Sequence, residues 1–436
     1  MLARSKCDKI TALWTFAKRR RGTLAVSRGI GNLRSLISAY PRQFWVLFGG
    51  MLITAIGGGM VWPFLTIFMR QRLDVPLTTV GLLLTLNSAA GLVTTSVAGP
   101  IADRFGRKGV MVVSLMASCL IYVAMPLADT LILWALLLIL SGGFGPLFRV
   151  GSNAMIADLL EPEKRADAYA LMRTSNNLGI AIGPAVGGFI AAVSYSRAFF
   201  VAASAYAIFA LLTLVLVAET LPQTEAVSQG RKTRKGYGPL LRDSGFLAFC
   251  GITTLAVIPS TLMMVLLPVY AKEQYGVIES QYGFIMATNA AMVVLFQYLV
   301  TQVTKRYPSL RVMAVGAFFY GLGVGTVALG QGFWAFLLSM IVVTVGELIM
   351  VPTGTTLAAN LSPADMRGRY MGVYSLTWGI AFGVGPVIGG VLNDQIAPVA
   401  IWVGGLVIGL VATLGYVWLN RRPGEPTIGG PASAVS

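Results

Sequence analysis

Histidine does not occur in the 436 residues. Its absence removes Ser-His-Asp and Cys-His nucleophilic sites, histidine zinc sites and imidazole proton relays together. Cysteine is nearly as scarce. Cys7, Cys119 and Cys250 lie far apart, so neither a disulfide framework nor a cysteine metal cluster is expected. No Gly-Lys dipeptide occurs, which excludes the G-x-x-x-x-G-K-S/T phosphate loop and ATP hydrolysis through it. Charge is short as well: 11% of residues are Asp, Glu, Lys or Arg, against roughly 25% in a soluble domain. The chain is therefore expected not to be an enzyme and to use no metal or organic cofactor.

Apolar residues fill the space the charges leave. They make up 56% of the chain, with a mean hydropathy of +0.75, too much for one core under a polar surface. A helix crosses the roughly 30 Å of bilayer hydrocarbon in about 20 apolar residues. Twelve runs meet that requirement, at 44–69, 78–99, 109–128, 131–157, 168–193, 197–217, 246–271, 280–303, 311–331, 333–358, 369–393 and 398–420. The ten-residue alternation of a membrane barrel is missing. An all-α integral membrane protein of 12 transmembrane helices is expected.

Basic residues orient the spans. With the N-terminus inside, 28 of the 33 Lys and Arg fall on the inner side and four, Arg70, Arg72, Arg197 and Lys272, on the outer; Arg149 lies inside a span. The bias places both termini in the cytoplasm, with the cell inner (plasma) membrane as location. The net charge of +16 thus reads as topology and attraction to lipid headgroups, with no nucleic acid partner. Residues 1–43 form a basic tail that includes Lys18, Arg19, Arg20 and Arg21, and 421–436 a second tail. A polar segment, 219–245, carries Arg231, Lys232, Arg234 and Lys235 and separates two pieces, 44–218 and 246–420, of 175 residues each.

The two pieces repeat one another. L-E-P-E-K-R-A-D-A-Y-A-L-M-R-T-S-N-N-L-G-I-A-I-G-P-A-V-G-G (Leu160–Gly188) matches L-S-P-A-D-M-R-G-R-Y-M-G-V-Y-S-L-T-W-G-I-A-F-G-V-G-P-V-I-G-G (Leu361–Gly390) with one inserted residue. Duplicated six-helix bundles bind substrate near the midplane where the halves meet.

Between the second and third spans, Gly99–Lys108 (G-P-I-A-D-R-F-G-R-K) resembles motif A of the major facilitator superfamily. In the fifth span Gly179, Gly183, Pro184, Gly187 and Gly188 resemble motif C of its drug and proton antiporters. The resemblance covers about 44–420. It implies two pseudo-symmetric six-helix bundles, export by alternating access, and a cytoplasmic gate of Asp103, Arg104, Gly106, Arg107, Lys108 and Asp158. In that gate Asp103 latches onto the start of the eleventh span near Arg369–Gly372, and Arg107 pairs with Asp158. Read from the residues alone, the motif C glycines are helix packing and Pro184 favours a kink.

Two charges inside spans carry most information. Glu347 lies 14 residues past Phe333, about 21 Å into its helix, and Arg149 lies 18 past Leu131, about 27 Å in. Facing lipid, each would cost roughly 2.5–3.5 kcal/mol or more, so both should meet a wet cavity or a partner. Shifted through the repeat, they fall about one turn apart in the fourth and tenth spans. Glu347 is the candidate proton carrier, the proton being the coupling ion. Arg149 is its partner, a ligand for a substrate anion, or a residue snorkelling to the cytoplasmic mouth. The family's usual arginine earlier in the fourth span is replaced by Ile139. Trp62, Phe144, Phe148, Met263, Met264 and Trp378 are candidates for an apolar cavity lining.

The expectation is a proton-coupled exporter of hydrophobic or cationic small molecules, acting as a monomer among membrane lipids. Alternatives are a peptide/H+ symporter, suggested by G-E-L-x-x-x-P at Gly346–Pro352 but lacking an E-x-x-E-R first-span motif, a lipid or lysolipid flippase, and a non-transporting membrane receptor.

Overall fold

A computed structural model describes residues 38–221, 238–363 and 365–421. Cys7, the Lys18–Arg21 cluster, the Arg231–Lys235 cluster and most of both tails lie outside these residues. The described chain contains 12 helices long and apolar enough to cross a membrane. We number them α1 (Arg42–Leu73), α2 (Leu77–Phe105), α3 (Arg107–Leu127), α4 (Leu131–Leu159), α5 (Pro162–Val193), α6 (Tyr195–Leu216), α7 (Ser244–Val265), α8 (Glu279–Thr304), α9 (Ser309–Val327), α10 (Gly332–Leu361), α11 (Arg367–Gln395) and α12 (Ala400–Asn420). The architecture is two pseudo-symmetric bundles of six helices, α1–α6 and α7–α12. Large apolar side chains such as Ile132, Val215 and Leu329 remain exposed on the outer faces, as a lipid solvent allows.

The helices run further than the apolar runs alone suggest. Pro162 sits in the first turn of α5, where its missing N–H costs nothing, so that helix starts six residues before the expected 168. α1 is interrupted by a 3-10 turn at Trp62–Phe64, and α7 is followed by a short helix, Leu267–Tyr275, opening on Pro268. Proline removes a backbone donor at each interruption, and the two are placed alike in their halves. Before α7, Asp243 caps the helix by accepting from the Phe246 N–H at 2.9 Å, and its other oxygen accepts from the Tyr370 hydroxyl of α11 at 2.9 Å.

The bundles meet along α2 with α11 and α5 with α8. Backbone touches backbone there, because glycine stands at each crossing. A Cβ added at Gly81 would lie 2.7 Å from Pro386 O; at Gly283, 2.9 Å from Pro184 O; at Gly390, 2.6 Å from the Thr78 backbone; and at Gly188, 2.5 Å from Glu279 O. Gly81 and Gly283, Pro184 and Pro386, and Gly188 and Gly390 are repeat mates at one constant offset, so one crossing is the image of the other.

These crossings occupy one end of the molecule, opposite the end bearing the α2–α3, α4–α5 and α10–α11 loops. We call the latter the basic side and the former the far side. Polar bonds reinforce far-side closure. Asp394, at the end of α11, accepts from the Leu77 and Thr78 N–H groups at 3.2 and 2.7 Å and from the Thr78 hydroxyl at 2.7 Å. A carboxylate on the exposed donors of a helix start is favourable. Arg70 of α1 pairs with Glu273 at 2.6 Å, and Glu279 of α8 accepts from Lys272 and from Tyr195 of α6. Toward the basic side the halves part. The α2–α11 contact reaches Leu92 against Gly379, but a Cβ at Gly99, Gly368 or Gly372 would meet nothing within 4 Å. Val93 and Phe105 of α2 and Val294 and Tyr298 of α8 are exposed. The molecule is closed on the far side and open on the basic side.

Candidate functional site

The tight loop after α2 depends on Gly106, whose φ of 86° is open to glycine and strained for other residues. Arg107 and Lys108 open α3 with unsatisfied backbone donors. Glu219, just past α6, accepts from both at 3.0 Å, and also from the Thr220 and Leu221 N–H groups at 2.8 and 3.0 Å. Partial burial acts to raise the Glu219 pKa, but these four backbone donors outweigh it and hold the carboxyl below its usual value. The Arg107 guanidinium bridges Asp103 and Asp158, both at 3.0 Å, and donates to Ala102 O at 3.2 Å. Arg104 lies over the Phe105 ring.

Arg107 and Asp158 are thus in contact, but Asp103 is not at the start of α11. Its carboxylate is 69% exposed and turns back one helical turn to Arg107, since in this basic-side-open arrangement α2 and α11 have separated at that end. The carboxylate that caps a helix here is Glu219. Because its stabilisation exists where it is ionised, it is present above the ordinary Glu range and lost as pH falls through the depressed folded value. Glu219→Ala should leave the fold intact and speed proteolysis or labelling in the α2–α3 loop at neutral pH, with wild type approaching the variant below about pH 4. Equal loop accessibility of both proteins at pH 7 would show the cap to be idle.

The glycines of α5 behave as packing elements. Gly179 sits against Leu52, Ala55 and Ile56 of α1, Gly183 against Ile56 and Gly59, and Gly187 against Met60. Pro184 touches Gly59. Gly188 turns the other way, to α8 and the opposite bundle.

Glu347 lies half-buried on α10. It accepts from the Asn289 amide of α8 at 2.7 Å; the same amide donates to the Thr344 hydroxyl at 3.0 Å, which donates to Met340 O at 2.7 Å. Among the described residues no ion pair joins Glu347 to Arg149, and of the three readings of Arg149 the partner of Glu347 is not the one seen here: the carboxylate is held by a neutral amide. The reason is placement: Arg149, on α4, faces a cavity inside the first bundle. That cavity, about 510 Å³, lies among α1, α3, α4, α5 and α6 and is lined by Thr54, Phe148, Arg149, Asn153, Arg173 and Asn176, among others.

Of the expected apolar lining, Phe148 reaches this cavity, while Trp62 is 38% exposed at the α1 interruption. Phe144, Met264 and Trp378 are partly buried against the apolar core. Met263 has no exposed surface; it packs inside the second bundle and cannot line a cavity. Sequence reading missed Asn289, although Asn87 of α2 is its repeat mate and donates to Leu138 O at 2.9 Å. It also missed Glu219, Asp394 and Arg173.

Comparison with known proteins agrees with this architecture. A family model described as Major Facilitator Superfamily matches residues 47–277 and 249–434. A Na(+), Li(+), K(+)/H(+) antiporter of Planococcus maritimus is 28% identical, over 85% of this chain and 93% of its own. The multidrug resistance protein MdtH of Shigella boydii is 26% identical, over 81% and 86%. A point mutant of the nucleoside transporter NupG superposes with a TM-score of 0.75 at 14% identity, over 87% of this chain and all of its own. A POT family transporter in complex with a thioalcohol conjugated peptide gives 0.72 at 16%, over 87% and 96%.

Proposed function

Because the chain belongs to the major facilitator superfamily, a family of transporters, we propose that it is a proton-coupled exporter of hydrophobic or cationic small molecules. It works by alternating access in the inner membrane, as a monomer with both termini in the cytoplasm. In this reading the basic side is cytoplasmic and the structure is the inward-open state. The observation that carries the proposal is Glu347, a lone carboxylate in the middle of α10 whose described partner is the neutral Asn289. With no fixed cation beside it among the described residues, the carboxylate can accept a proton or meet an arriving positive charge. A proton and a cationic or polarisable substrate can therefore alternate on one group.

The antiporter and multidrug names of two relatives support exchange. One charge moving through 100 mV supplies about 2.3 kcal/mol, enough to drive it. The test is ethidium efflux from cells expressing the chain, with and without an uncoupler. Efflux that collapses on uncoupling is expected; efflux indifferent to the uncoupler would remove proton coupling. The relative that exchanges alkali cations favours a second reading, in which Glu347 binds such a cation directly; alkalinisation of the vesicle lumen on adding Na+, Li+ or K+ outside, as protons leave in exchange, would favour that reading.

A further inference from the structure

Arg149 and Arg173 line the same cavity of the first bundle. They stand on consecutive antiparallel helices, ten residues before the end of α4 at Leu159 and eleven after the start of α5 at Pro162. At 1.5 Å per residue both lie about 15 Å from the basic-side helix ends, at one depth. Neither makes a hydrogen bond or ion pair among the described residues, and no Asp or Glu lines the cavity. Asp158, at the end of α4, is engaged by Arg107 and Thr220. Both side chains are exposed and line the cavity, so two like charges share one opening.

The walls around the charges are of two kinds. Asn153 and Asn176 add amide groups beside the arginines, while Phe148 and Met172 offer apolar surface. The Tyr169 hydroxyl is spent on Asn153 O at 2.9 Å, tying α4 to α5 in the cavity wall. A volume of about 510 Å³ is that of a small-molecule site, apolar for the most part with few polar groups fixing orientation. A planar guanidinium binds carboxylate or phosphate oxygens through paired N–H donors.

We propose that this cavity binds the acidic head of an amphiphile, a carboxylate or phosphate between Arg149 and Arg173 with its hydrocarbon part against Phe148 and Met172. This rests on the exporter reading and adds to its cargo hydrophobic compounds that bear an acid group. Such a head could belong to a free amphiphile or to an anionic lipid of the surrounding bilayer.

The test uses the full chain in nanodiscs of phosphatidylcholine, titrated with dodecanoate, dodecanol and dodecyltrimethylammonium, three probes of one chain length and different charge. Dodecanoate should bind at least about tenfold more tightly than the other two, as charge-assisted hydrogen bonds imply. Arg149→Gln and Arg173→Gln should each remove that preference while keeping the wild-type thermal unfolding midpoint, and Arg149→Lys should restore part of it. Adding phosphatidylglycerol to the nanodisc distinguishes the sources: competition with dodecanoate identifies the lipid headgroup, and its absence the free amphiphile. Equal binding of all three probes, or a preference untouched by both glutamine variants, would overturn the site. Uncoupler-sensitive ethidium efflux by the wild-type chain is read separately, so loss of the anion preference with efflux intact sinks this inference alone. Anion binding without efflux sinks the exporter reading and leaves the site.

Discussion

Glu347→Gln is expected to fold, insert and reach wild-type levels, and to lose proton-driven accumulation entirely. The amide oxygen of glutamine can still accept from Asn289, which now donates to Glu347 at 2.7 Å, so the α8–α10 contact survives; what disappears is the ability to release and regain a proton. One proton exchanged against one pH unit supports about a tenfold gradient of substrate, and in the variant that gradient should fall to unity. Facilitated, downhill flux should remain, because the gates are untouched. The measurement is counterflow against pH-driven uptake in proteoliposomes. A variant that still accumulates substrate to the wild-type ratio would remove Glu347 from the coupling step and direct attention to Asp103 and Asp158. Asn289→Ala is a useful companion, since it strips the sole described donor from the carboxylate and should slow transport while leaving coupling in place.

The membrane solvent made most of the architecture readable. A helix that must bury its backbone in lipid declares itself as a long apolar run, and duplication declares itself as Leu160–Gly188 repeated at Leu361–Gly390. The Arg107–Asp158 contact was likewise accessible, because both residues sit at fixed places in adjacent loops of a known pattern. What stayed hidden depends on contacts that no local pattern encodes. Glu219 caps α3 across a separation of 112 residues, and nothing near it in sequence marks it as a cap. Arg173 was counted with the inner-side arginines although the expected span 168–193 contains it, because it stands only five residues past that start; α5 in fact begins at Pro162. Which of its three readings Arg149 takes was open for a related reason: repeat equivalence fixes depth along a helix but not the direction a side chain faces, and Arg149 lines a cavity of its own bundle. Asp103 is read from the motif at the start of α11, and nothing local in sequence shows that its carboxylate meets Arg107 instead.

That state can be pushed in either direction with glycines. At Gly390 an added Cβ would fall 2.6 Å from the Thr78 backbone, and neither helix can yield without parting. Gly390→Val should therefore oppose far-side closure at an overpacking cost of roughly 1–3 kcal/mol, which converts to a shift of about 5- to 150-fold toward the far-side-open state. Gly372 is the contrasting position, on the same helix where a Cβ meets nothing within 4 Å. Gly372→Val should cost nothing in the structure described and, if α2 and α11 close there during the cycle, should hold the molecule open on the basic side. A reporter at Thr85, whose hydroxyl now donates to Gly383 O at 2.6 Å within the far-side crossing, reads both effects. Thr85→Cys, with Cys7, Cys119 and Cys250 replaced by serine, should react faster with an impermeant maleimide from the far side in Gly390→Val, and no faster than the parent in Gly372→Val. Gly188→Val, the repeat mate at the α5–α8 crossing, should act as Gly390→Val does, because Glu279 stands over it as Thr78 stands over Gly390. If Gly390→Val raises the labelling rate while Gly188→Val leaves it unchanged, the two crossings do not open together, and the α2–α11 crossing opens as a local hinge instead of by a symmetric rocking of the bundles.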